Sequence, residues 1–210
     1  MAAGGQETEA KFYVRDLSRI KSRLEELGAR LVQERVLETN IRFDLPGAPL
    51  RAQGRVLRLR RDTEVRLTYK SASTKDEGVL SREEIEFVVE DFEKAKRFLE
   101  ALGYEKLVYY EKYRTTYSVQ PSEGFLYVML DELPYGNFVE IEGETVEAIH
   151  AVADQLQLNW EAAVGTSYHA MFERARKSLN LPLRDLSFVE FKHVEVDALH
   201  LKIQAADRDK

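Results

Sequence analysis

Along much of this chain, polar and apolar positions alternate one by one. Glu7, Glu9 and Lys11 stand two apart at the start, and the same spacing returns in Arg58 and Arg60, in Arg82, Glu84 and Glu86, in Lys112 and Arg114, and in Glu140 and Glu142. Arg66, Lys70 and Asp131 fall in phase with them. Side chains two apart on a strand share a face, so one face collects charge. Leu57, Leu59, Leu67, Tyr69, Ile85, Phe87, Tyr113, Val139 and Ile141 lie between the charges and make the opposite face apolar. A sheet built this way buries one face and gathers acids and bases on the other.

The period changes in four places. Over 16–28, Leu17, Ile20, Leu24 and Leu27 recur at helical spacing, with Asp16 as a cap and Gly28 as a stop. A second helix follows Asp91, with Phe92, Ala95, Phe98, Leu99 and Leu102 inward and Gly103 ending it. Two more are predicted at 146–156 and 166–179. Strands are expected at 7–15, 29–43, 55–61, 64–70, 79–90, 105–119, 126–135 and 137–144. The stretch 45–54 carries Pro46, Pro49, Gly47 and Gly54 and reads as an irregular connection. The stretch 71–78 is small and polar and reads as a mobile loop able to order over a ligand. Strand, helix and strands thus occur twice with antiparallel-length connections. The predicted class is α+β, a closed antiparallel β-barrel flanked by helices.

Composition narrows the function without deciding it. At 210 residues and 44% hydrophobic, the chain suits one folded domain. A domain over 1–190 is expected, with a C-terminal extension at 191–210 that frays at its end. The net charge of −6 argues against a nucleic-acid coat or an anionic-membrane binder. There is no cysteine, hence no thiolate metal site. No signal pattern and no membrane-length apolar run stands out, so a cytoplasmic protein without nucleic-acid or membrane partners is expected. His193, Glu195 and His200 in the tail read as surface residues, since no fourth ligand accompanies them.

The charges themselves point to a ligand. Closing the strands with this face inward would enclose cations from Lys11, Arg58, Arg60, Lys70, Lys112 and Arg114 beside carboxylates from Glu7, Glu9, Glu84, Glu86, Asp131, Glu140 and Glu142. An unpaired buried charge costs about 3–5 kcal/mol, and so many exceed what structural ion pairing alone explains. Arginine forks and lysine ammonium groups suit phosphate oxygens. Carboxylates without His or Cys suit hard cations such as Mg²⁺ or Mn²⁺. A polyphosphate carrying a divalent metal satisfies both needs. The competing picture is an open amphipathic sheet with its charges in solvent.

Glu7-Thr8-Glu9-Ala10-Lys11, Val56-Leu57-Arg58-Leu59-Arg60, Leu67-Thr68-Tyr69-Lys70, Arg82-Glu83-Glu84-Ile85-Glu86, Lys112-Tyr113-Arg114 and Phe138-Val139-Glu140-Ile141-Glu142 together resemble the CYTH superfamily, the triphosphate tunnel metalloenzymes. The resemblance runs over 7–188 and implies an eight-stranded antiparallel tunnel. It implies phosphate binding by Arg58, Arg60, Lys70 and Arg114, supported by Lys11 and Lys112, and metal binding by Glu7, Glu9, Asp131, Glu140 and Glu142. Lys11, Arg60, Glu84 and Glu86 are the implied catalytic set, the two glutamates as further acidic ligands or water-holding groups. Ser167-Tyr168 resembles a late Ser-Tyr pair for which a structural role is expected. One departure stands out: where many members carry Tyr, an aromatic, Asp, Thr and Pro, this chain reads Arg42-Phe43-Asp44-Leu45-Pro46.

The implied reaction is hydrolysis of an inorganic or organic triphosphate with Mg²⁺ or Mn²⁺. One alternative is the class IV adenylyl cyclase reaction, which the segment from Leu130 through Glu140 resembles. Another is a non-catalytic polyphosphate- or nucleotide-binding module. The implied partner is a small triphosphate such as inorganic triphosphate or ATP, and a homodimer is admitted.

Overall fold

Eight antiparallel strands close on one another, and the edge problem of an open sheet disappears. A computed structural model describes residues 6–76, 79–119 and 126–207. In chain order the elements are β1 (Gln6–Val14), α1 (Leu17–Glu26), β2 (Arg30–Asp44), α2 (Pro49–Ala52), β3 (Val56–Arg61), β4 (Val65–Lys70), β5 (Thr74–Asp76), β6 (Val79–Val88), α3 (Phe92–Ala101), β7 (Glu105–Val119), β8 (Leu126–Leu133), β9 (Gly136–Gly143), α4 (Val146–Gln155), α5 (Tyr168–Ser178) and α6 (Ala198–Leu201). The ring runs β1-β9-β8-β7-β2-β3-β4-β6 and returns to β1. The α+β tunnel flanked by helices is therefore as expected.

Alternation does what the sequence pattern demands. Ala10, Phe12 and Val14 on β1, Val128 and Leu130 on β8, and Val139 and Ile141 on β9 point outward, into one core beneath α1 and α4. Ile41, Phe43 and Leu59 point outward on β2 and β3, against Phe92 and Leu99 of α3. The intervening residues face the tunnel. Asp16 and Asp91 cap α1 and α3 by accepting from the backbone N–H of Ser18 and Lys94.

Three expectations change. The stretch 71–78 holds β5, which pairs Thr74 with Ser81 and Asp76 with Val79; residues 77–78 lie outside the described residues. The apolar face of β6 is not covered at Ile85 and Phe87, which are 46% and 53% exposed, and Phe98 of α3 and Leu102 just after it are likewise exposed. The segment after α5 is docked as far as Asp207, whose carboxylate accepts from the backbone N–H of Arg15 and Asp16. Leu186, Phe191 and Leu201 in that segment are buried. Residues 208–210 lie outside the described residues.

That docked segment closes one end of the tunnel. Tyr13, Val108, Leu133 and Phe138, all inward-facing, pack with Tyr168, Met171 and Phe172 of α5 and with Leu186, Phe191 and Leu201. The inner face is thus charged along its length and apolar at this end. Tyr135 in the β8–β9 turn donates to the carbonyl of Tyr168 at 2.9 Å and ties the start of α5 to the ring.

Candidate functional site

Strand register places the charged side chains in two facing groups. On one wall, Lys11 of β1 pairs across to Glu140 of β9, and Arg114 of β7 to Asp131 of β8. Lys11 Nζ lies 2.8 Å from Glu140 and 3.5 Å from Glu9. Lys112 Nζ lies 2.9 Å from Asp131 and 3.4 Å from Glu38. Arg114 grips Asp131 with both arms, at 2.6 and 2.5 Å, and also bonds Glu140. Tyr168 reaches in from α5 and donates to Asp131 at 2.8 Å, with the Lys11 ammonium 4.6 Å from its ring centre.

On the other wall, Arg58 and Arg60 of β3 face Thr68 and Arg66 of β4. Arg58 lies 3.9 Å from Glu84 and 3.7 Å from Glu86. Arg60 lies 3.3 Å from Glu86, 3.5 Å from Asp62 and 3.8 Å from Glu38. Lys70 bonds Glu84 at 3.0 Å, and the Thr68 hydroxyl donates to Glu86 at 2.7 Å. Arg61, next along, faces outward over the Phe92 ring.

Every sequence-expected cation of the tunnel, Lys11, Arg58, Arg60, Lys70, Lys112 and Arg114, is therefore on the inner face, as are Glu9, Glu84, Glu86, Asp131, Glu140 and Glu142. Glu7 pairs through its backbone with Arg82, and its side chain lies outside the described residues. The expectation that ion pairing could not absorb so many charges is corrected. Glu9, Glu38, Glu84, Glu86, Asp131 and Glu140 each have a cation within 4 Å.

The electrostatics follow from that pairing. Burial opposes charge on Lys11, yet Glu140 and Glu9 hold its ammonium above the ordinary lysine range. Burial likewise opposes charge on Glu38, but Lys112, Arg114 and Arg60 lower its pKa to about 2. Glu140 is held well below the usual carboxylate range against its burial by Lys11, Arg114 and Lys112. Acids and bases thus keep one another ionised in a buried site.

Sequence reasoning missed several residues that belong here. Glu38, Asn40 and Arg42 keep the two-residue spacing on β2 and face inward, a signal available in the sequence. Tyr110 pairs opposite Asn40, and although burial would raise its phenol, Arg58 and Lys112 lower it. Tyr168, singled out in the sequence only through the Ser167-Tyr168 resemblance and with a structural role expected, arrives from a distant helix, and no strand pattern could place it beside Asp131. Asn40 is fully buried, and neither its side-chain oxygen nor its nitrogen has a partner; the Nε atoms of Arg42 and Arg58 share that condition, and that of Arg60 has only the Asp62 carboxylate at 3.5 Å. Buried unpaired polar atoms are costly, so these groups, which converge on one stretch of the tunnel, fit the oxygens of a bound ligand.

Among the described residues, no three carboxylate or histidine side chains already form a metal cage. The donor chemistry nevertheless suits a hard divalent ion. Glu9 and Glu142 occupy directly opposed register positions on β1 and β9, with Glu140 two residues from Glu142. Opposed like charges are unfavourable by themselves, and a cation between them relieves the repulsion. Asp131 differs, because Lys112, Arg114 and Tyr168 already occupy its oxygens.

The fold and this acid-and-base lining define a charged antiparallel tunnel, and the comparisons agree. The CYTH domain family matches residues 5–166, and the chain belongs to that family. No curated protein matches in sequence. A Vibrio parahaemolyticus structure, described as a candidate adenylate cyclase, is 21% identical and covers 80% of this chain and 99% of its own, with a TM-score of 0.70. A Pyrococcus horikoshii OT3 protein is 27% identical over 77% of this chain and 96% of its own, with a TM-score of 0.62. A Hippeastrum protein, described as a candidate adenylyl cyclase with a dominant triphosphatase activity, is 19% identical over 80% of this chain and 95% of its own, with a TM-score of 0.59. Members of the family are triphosphatases or adenylyl cyclases and act on triphosphates, and its triphosphate tunnel metalloenzymes use divalent metal ions. No helix among the described residues is long and apolar enough to cross a membrane.

Proposed function

We propose that this chain is a divalent-metal-dependent triphosphatase that hydrolyses inorganic or organic triphosphates inside the tunnel. The observation that carries the reading is the pair of inward polar groups without partners, the Asn40 amide and the Nε of Arg58, set among paired acids and bases. A triphosphate offers these donors the acceptor oxygens they lack. Arg58, Arg60, Lys70 and Arg114 grip the phosphates, with Lys11 and Lys112 beside them. Their carboxylate partners hold them aimed before the ligand arrives, so little reorganisation accompanies binding.

Glu9, Glu140 and Glu142, with Glu7, are the residues that would hold Mg²⁺ or Mn²⁺. When bound, such an ion shields the phosphate charge and lowers the pKa of a coordinated water. Glu84 and Glu86 stand on the opposite wall, where Thr68 and the arginines orient them to hold a water by hydrogen bonding. Asp131, with its oxygens already engaged, positions Lys112 and Arg114. Hydrolysis needs only water as nucleophile, which places it ahead of cyclisation.

A second reading, class IV adenylyl cyclase, draws support from the segment Leu130 through Glu140, which resembles that branch. The deciding experiment is product analysis with inorganic triphosphate, ATP and thiamine triphosphate, each with Mg²⁺ and with Mn²⁺. Phosphate release from inorganic triphosphate should exceed cyclic AMP formed from ATP. Dominant cyclic AMP would reverse the assignment, and tight metal-dependent binding without turnover would leave a binding module.

A further inference from the structure

Arg42 stands apart from the other inward cations. Lys11, Arg58, Arg60, Lys70, Lys112 and Arg114 each have a carboxylate within 4 Å. Arg42 has no such partner among the described residues, and its Nε is buried without a hydrogen bond. Its register position is beside Arg58 of β3 on one side and Val108 of β7 on the other. Val108 belongs to the apolar plug, so Arg42 sits where the charged tunnel meets its closed end.

The carboxylate of nearby Asp44 is engaged by backbone N–H groups, and the strongest electrostatic neighbours of Arg42 are Tyr110, Arg58, Arg82 and Arg51. Burial, offset in part by Tyr110, and repulsion from Arg58, Arg82 and Arg51 lower its pKa. Arg51 comes from α2, whose start is fixed by the buried Asp44 carboxylate accepting from the backbone N–H of Leu50 and Arg51. His169, from α5, lies within electrostatic reach of Arg42 and Arg51, and neither ring nitrogen has a partner. Its other charged neighbours are Glu173 and Arg176, which pair with each other at 3.0 Å. β2 and α5 thus bring the buried, unpartnered nitrogens of Arg42 and His169 within electrostatic reach of each other, and α2 adds the exposed Arg51. Folding would not gather like charges there for stability, since each repels the next.

We propose that Arg42, with Arg51 and His169, forms an anion subsite at the closed end of the tunnel that takes one phosphate beyond the triphosphate cradle. The chain would then prefer a linear tetraphosphate over a triphosphate. The added phosphate supplies the charge that Arg42 lacks, and the neutral His169 ring offers an N–H to one of its oxygens. The inference rests on the triphosphate reading above, because the cradle defines where the fourth phosphate begins.

The test uses the full chain and Arg42→Gln with inorganic triphosphate and inorganic tetraphosphate. Turnover is measured with divalent metal, and binding by calorimetry. In the wild type kcat/KM should favour tetraphosphate, and in Arg42→Gln the tetraphosphate-to-triphosphate ratio should fall by about tenfold or more, the loss of a charge-assisted contact. Arg42→Lys should restore part of it, and Arg51→Gln and His169→Gln should move the ratio the same way. These last two keep the test decisive should Arg42→Gln fail to fold. An unchanged ratio in the variants overturns the subsite. If the wild type cleaves neither compound, the hydrolase reading falls and calorimetry alone decides. Tighter tetraphosphate binding that is lost in the variants sustains the subsite, and equal binding of the two chains of phosphate overturns it.

Discussion

Tyr168 donates its hydroxyl to Asp131 at 2.8 Å, joining the first residue of α5 to the middle of the tunnel wall. Asp131 is fully buried and holds Lys112 and Arg114 in turn, so the helix that plugs the tunnel also fixes two of its cations. Burial, together with Asp131 and Glu140, raises the Tyr168 phenol well above its usual range, and it stays a donor.

Tyr168→Phe isolates that hydroxyl, because the ring over which Lys11 and Lys112 lie is retained. A hydrogen bond to a charged acceptor contributes about 1.5–3 kcal/mol. The melting temperature should fall by roughly 3–12 °C for a chain of this size. Thermal unfolding measures it, and an unchanged midpoint would show that the bond carries no stability.

Arg60 and Arg61 are neighbours with opposite fates. Arg60 faces Glu86, Asp62 and Glu38 inside, whereas Arg61 stacks on Phe92 outside. Arg60→Lys keeps the charge but loses the planar fork, and steady-state turnover should drop by about one to two orders of magnitude. Arg61→Lys should be tolerated. Equal rates in the two variants would break the link between the inner face and the chemistry.

Turnover should disappear on chelation and return with added Mg²⁺ or Mn²⁺, because the opposed Glu9 and Glu142 offer only oxygen donors. Phosphate release before and after treatment with a chelator reads this directly. Full activity in the chelated enzyme would remove the metal from the proposal.

His169 predicts an acid sensitivity. Burial, with Arg42 and Arg51 nearby, lowers its pKa from the ordinary 6.5 to about 4. Between those values the unfolded chain binds the proton more readily than the folded one, so this contribution to stability is intact above 6.5 and is lost as pH falls toward 4. Chemical denaturation at pH values across that window should show stability declining on acidification, and less steeply in His169→Gln. Identical slopes would mean that His169 is not held neutral by the fold.

Much of the site was legible in the chain because a strand repeats every two residues. That rule alone placed Arg58 with Arg60, Glu84 with Glu86, Glu140 with Glu142, and Leu59, Val139 and Ile141 on the buried outer face. The same rule was blind to whether an outer face would be covered. Ile85 and Phe87 alternate as well as any pair and are nevertheless exposed, because no helix among the described residues packs across β6 there.

Other features were settled only by the closure of the ring. Glu9 meets Glu142, and Lys11 meets Glu140, through a β1–β9 pairing of residues about 130 positions apart, and local periodicity carries no register between distant strands. Tyr168 and His169 lie on a helix that follows an ordinary amphipathic pattern; Tyr168 reaches Asp131, and His169 comes within electrostatic reach of Arg42, only because the segment after β9 folds back over the tunnel's end. The alternation along the chain determined which side chains could share the interior. The tertiary structure decided which of them are paired and which, like Asn40 and Arg42, are left facing inward without a partner.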